Sequence, residues 1–145
     1  MQELKLKFDQ RIISVVLPEM HCVIYFIIMN SKQSLTKQIN YAHQSLKSIG
    51  YNRRGLKKEI SKHINDCLSN PGFTFELEPQ LVCIILKIDD GIDLSYFLSI
   101  AVHEICHAVY MHFRTLGLDI NDDEHMALVQ GNVFESFLRN FYDEV

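Results

Sequence analysis

The chain has 145 residues, 48% of them hydrophobic and 22% charged, with a net charge of −4. That length suits one domain with a real core, and the acidic balance removes the electrostatic case for nucleic acid or an anionic membrane as partner. Four scattered cysteines (Cys22, Cys67, Cys83, Cys106) contain no C-x-x-C pair, so they read as small buried hydrophobes in a reducing compartment rather than a disulfide frame.

Residues 4–17 alternate and then turn apolar, which predicts one long strand or two short ones, stopped by Pro18. CVIYFIIM at 22–29 is β-branched and aromatic and reads as a fully buried strand. The short link Pro18-Glu19-Met20-His21 predicts an antiparallel hairpin with His21 exposed at its turn. Helical period follows over 32–49, with Leu35, Ile39, Ala42, Leu46 and Ile49 on one stripe. It returns over 53–69, whose Arg53, Arg54, Lys57, Lys58 and Lys62 form a solvated basic face. His43 and His63 on these helices are expected to be structural or exposed.

FTFEL at 73–77 and LVCIILKI at 81–88 predict two more strands joined by a turn at Glu78-Pro79-Gln80. A long helix is expected from about Ser95 to Leu116, capped by Asp93 or Ser95 and ended by Gly117. A short loop at 118–121 and a last helix over about 122–142 complete the chain. No secretory signal pattern is seen. The longest apolar runs, Cys22–Met29 and Leu81–Leu86, are too short to span a bilayer. No membrane partner is therefore expected, and the expected location is cytoplasmic.

The long helix carries the chemistry. Ile100 to Tyr110 is apolar except for His103, Glu104 and His107, in the pattern H-E-x-x-H. Residues i and i+4 share a helix face, so the two imidazoles supply half of a tetrahedral zinc shell. Glu104, about 100° round the helix, is placed to take a proton from a water that the ion acidifies. Apolar flanks on nearly all sides predict a buried helix, and a metal resolves the cost of burying unpaired polar groups there.

A catalytic zinc takes a third protein ligand. Asp119, Asp122, Asp123, Glu124, His125 and Glu135 lie downstream. Glu124, on the opening turn of the next helix, is favoured over Asp123 and His125. It also suits the third position of a capping box starting at Asn121. A straight helix travels about 13 Å beyond His107 before Leu116, which brings residues near 130 level with the pair unless the helices cross steeply. Gly131 is expected to ease close approach. His112 should leave the ligand face, and Cys106 is expected to be a buried inert thiol. Tyr96 and Tyr110 could reach the site and stabilise an oxyanion, but are expected to pack in the core.

HEICHAVYMHFRTLGLDINDDEHMALVQGNVFESFL resembles a family of small phage-encoded zinc metallopeptidases. The matching residues are His103, Glu104, His107, Ala108, Gly117, Asp123, Glu124, Ala127 and Gly131. The likeness covers roughly the C-terminal quarter, and Leu128 departs from the aromatic residue usual there, a change expected to alter packing. The resemblance implies that His103, His107 and Glu124 bind Zn2+ and that Glu104 is the general base. It also implies a phage origin, hence the host cytoplasm, and a mechanism without a substrate. If the protein is a peptidase, an edge strand such as 81–88 is expected to hold an extended peptide or protein substrate. A looser likeness is to metallopeptidases that cleave phage repressors. The alternative is a non-catalytic zinc-binding protein that binds a host protein, its site closed by a fourth side chain such as His125.

The expectation for residues 1–145 is therefore one α+β domain. It holds a small antiparallel or mixed sheet packed with helices, and a buried zincin-like H-E-x-x-H helix followed by a C-terminal helix.

Overall fold

The computed structural model describes residues 5–6, 11–31, 35–37, 58, 61–78, 80–88 and 92–143. The expected helix at 32–49 and the first half of that at 53–69 lie largely outside the described residues. The elements run β1 (Lys5–Leu6), β2 (Arg11–Leu17), β3 (Cys22–Met29), α1 (Ile64–Ser69), β4 (Gly72–Glu78), β5 (Leu81–Lys87), β6 (Ile92–Asp93), α2 (Leu94–Leu116) and α3 (Asp123–Asp143). The fold is α+β, and its main sheet is mixed.

That sheet has the order β2-β3-β5-β4. β2 and β3 form the expected antiparallel hairpin, with Leu17 opposite Cys22. A 3-10 turn at Pro18–Met20 joins them, and exposed His21 takes a left-handed conformation, φ 52°. β4 and β5 form a second antiparallel hairpin, and the two hairpins meet through the parallel pair β3 and β5. Of the two readings for residues 4–17 the structure takes two strands, and β1 pairs with β6 in a separate ribbon.

The uninterrupted apolar runs in β3 and β5 follow from their central places. Ile24, Phe26 and Ile28, with Val82, Ile84 and Leu86, pack under α2 and α3. The alternate residues Tyr25, Ile27 and Met29, with Leu81, Cys83 and Ile85, pack on the opposite face with Leu35, Cys67 and Phe75. Strands covered on both faces need apolar residues at every position. Phe26, Phe97, Phe113 and Phe137 are fully buried between sheet and helices, each worth about 1.5–3 kcal/mol of transfer free energy.

Two expectations change here. Residues 81–88 do not make an edge strand: β5 is internal, and among the described residues the edges are β2 and β4. The H-E-x-x-H helix is apolar all round but buried on one side only. Ala101, Ile105, Ala108, Val109 and Phe113 face the core, whereas Val102 and Tyr110 are 41% and 40% exposed. By length and composition alone α2 could cross a membrane, with a mean hydropathy of 1.2.

α2 starts at Asp93, whose carboxylate accepts from the Ser95 N–H at 3.2 Å. It ends at Gly117, φ 70°. There the Gly117 N–H donates to the Arg114 carbonyl and the Leu118 N–H to the Phe113 carbonyl. These paired bonds close the last turn and reverse the chain toward α3.

Candidate metal centre

Each side of α2 meets a different environment. Its inward stripe packs on the sheet, and one flank meets β4. His103 and His107 project from the outward side and are both exposed. Their Nε2 atoms are 3.1 Å apart, with the rings edge to face at 82°. Two Zn–N bonds of about 2.0–2.1 Å at the tetrahedral angle place their nitrogens about 3.3 Å apart. The donor type and the spacing therefore fit one shared zinc ion; without it, the same spacing makes a ring-to-ring hydrogen bond.

Glu104 lies beside the pair on the flank that meets β4, and is only 6% exposed. A buried carboxylate requires a donor, and the Thr74 hydroxyl donates to Oε2 at 2.6 Å. The backbone of β4 comes close enough for this because Gly72 has no side chain: a Cβ there would lie 2.7 Å from Glu104 Cγ. The strand's alternation puts Gly72, Thr74 and Glu76 on the face toward α2. Farther along, Glu76 accepts from the Thr115 hydroxyl at 2.8 Å.

Among the described residues, the group that could hold an ion is His103, Glu104 and His107, with ligand atoms all within 4.8 Å of one another. Glu124, Asp123 and His125 are exposed and stay outside that group. Asp122 caps α3, its carboxylate accepting from the His125 N–H at 3.1 Å. Glu124 is therefore the second residue of the helix and not the third of a capping box. The His125 ring packs on Phe113, centroids 4.9 Å apart. Residues near 130 do come level with the motif: Ala127, Gln130 and Gly131 share a groove with Val102 and Cys106.

Several neighbours differ from expectation. Gly131 brings no backbones together, since a Cβ there meets nothing within 4 Å. Tyr96 and Tyr110 are not core residues but exposed ones. Leu128 is exposed and lies outside the core. Cys106 is half-buried, and burial raises its thiol pKa. His112 leaves the ligand face as expected and is fully buried, with its pKa lowered by burial. His63 packs beside Phe73 and Phe75.

Beside His107, a cleft of about 560 Å³ is lined by Tyr110, Met111, Arg114 and Thr115 from α2 and Glu76 from β4. Thr74 and Gly72 were not foreseen. Alternation in β4 groups them on one face, but nothing in the sequence says which element that face meets. No family model matches the chain, and no curated protein or solved structure is detectably similar to it.

Proposed function

We propose that the protein is a zinc-dependent metallopeptidase of the small phage-encoded kind, acting on a peptide or protein substrate. One observation carries this reading: two imidazoles 3.1 Å apart on one helix turn, with the Glu104 carboxylate beside them. His103 and His107 hold the ion, and the resemblance supplies Glu124 as third ligand. Glu124 is exposed on the first turn of α3 and lies outside the group formed by His103, Glu104 and His107.

Zinc at this place supplies a Lewis acid that polarises a peptide carbonyl and acidifies water. Glu104 takes the proton from the attacking water and delivers it to the leaving amine. Tyr110 lines the cleft with His107, and its hydroxyl would donate to the oxyanion. Among the described residues β4 pairs with β5 on one side only, so its other edge can take an extended peptide as an added strand.

The alternative is a non-catalytic zinc protein that binds a host factor. It draws on the exposure of the histidine pair and on the absence of any α3 side chain from the group it forms with Glu104 among the described residues. The two readings part in one experiment. Protein purified without chelator is analysed for metal and tested on a fluorescent peptide library, alongside Glu104→Gln. The peptidase reading expects stoichiometric zinc in both proteins and hydrolysis only in the wild type. Loss of zinc from Glu104→Gln would overturn the assigned roles, and zinc without hydrolysis of any peptide would favour the alternative.

A further inference from the structure

We infer that Thr74 is a positioning residue for the general base, an inference that rests on the metallopeptidase reading above. Glu104 has three side-chain torsions, and proton transfer demands that its carboxylate stay aimed at one point. The Thr74 hydroxyl fixes one end of it, donating to Oε2 at 2.6 Å. Its approach to the Glu104 backbone carbonyl is longer, 3.4 Å, so the single hydroxyl proton goes to the charged and nearer acceptor. Oε1 is then free to face the water.

The donor is itself held rigidly. Threonine is β-branched and stiff at χ1, and Thr74 is registered opposite Ile84 in the central sheet. Gly72, two residues earlier on the same face of β4, brings the strand against Glu104 Cγ. The edge strand expected to receive substrate thus also aligns the base.

The test uses the zinc-loaded full chain with Thr74→Val and Thr74→Ser. Two readouts are taken: kcat and KM on a fluorogenic peptide, and acetohydroxamate affinity by calorimetry. A hydroxamate chelates the ion and donates a hydrogen bond to the base, so it reports carboxylate placement without turnover. Thr74→Val should lower kcat about ten- to hundredfold, within the contribution of a general base, with KM and zinc affinity unchanged. Hydroxamate affinity should fall with it, and Thr74→Ser should restore both.

Unchanged kcat in Thr74→Val, a loss confined to KM, or equal losses in Thr74→Ser would overturn the inference. If the valine variant does not fold, Thr74→Ala takes its place. Wild-type protein that neither hydrolyses any peptide nor binds the hydroxamate would instead overturn the metallopeptidase reading, and the role of Thr74 with it.

Discussion

Gly72 lies so close to Glu104 that a methyl group on it would come within 2.7 Å of Glu104 Cγ, and within 2.9 Å of Ile100 Cγ2. Real Cβ atoms do not approach that closely, so in Gly72→Ala either the Glu104 and Ile100 side chains or β4 itself must shift. We expect a loss of about 1–3 kcal/mol, the usual cost of overpacking, read from urea unfolding. Gly131→Ala is the control. It lies in α3 with nothing within 4 Å of the added carbon, so it should stabilise by about 0.5–1 kcal/mol through helix propensity.

Zinc affinity separates the ligands from their neighbours. His103→Ala and His107→Ala should each abolish stoichiometric zinc. Glu124→Ala should weaken zinc at least tenfold if α3 supplies the third ligand, while Asp123→Ala and His125→Ala change it little. Competition with a chromogenic chelator measures all five. Undiminished affinity in Glu124→Ala would remove that residue from the shell.

His112 should make stability pH-dependent. It is fully buried, and neither ring nitrogen has a hydrogen-bond partner of good geometry among the described residues. Burial lowers its pKa, opposed only in part by the Val23 backbone and the Glu76 charge. Above the unfolded value of about 6.5 both states are neutral and the contribution is flat. Below it the unfolded chain takes up a proton that the folded protein refuses, so stability falls with pH until the folded group titrates. His112→Leu should flatten that slope relative to wild type and raise stability modestly, because a buried imidazole with poorly formed hydrogen bonds costs more than an apolar side chain. Denaturant midpoints from pH 5 to 8 check both.

Thiol reactivity should follow burial. Cys67 and Cys83 are buried, with pKa raised by burial to about 11 and about 12. Cys22 is buried and likewise raised, first by burial and then by the Glu76 charge. Cys106 alone is half-buried. Iodoacetamide on folded protein should label slowly and reach Cys106 first, with the others reacting after denaturation; mass spectrometry of the peptides reads the order. Fast labelling of Cys83 in native protein would contradict its burial.

Local pattern foretold most elements because each signal acts within a few residues. Pro18 and the β-branched run after it define the first hairpin, and Asp93 and Gly117 bound α2 within a residue of the expected ends. The spacing of His103 and His107 belongs to any α-helix, so their convergence was readable before any coordinates. The depth of α2 was not. Its residues are apolar on every side, so periodicity could not tell which side the sheet would cover, and Tyr110 was expected inside.

By itself, the sequence determined that two imidazoles and a carboxylate share one helix and that two hairpins accompany it, since helical repeat and turn chemistry are local. Tertiary structure alone decided that β3 and β5 pair in parallel, that β4 is the edge beside α2, and that Thr74 grips Glu104 thirty residues away. Those outcomes depend on which faces exclude water together. That is a property of the whole packed chain, and no stretch of it encodes the result alone.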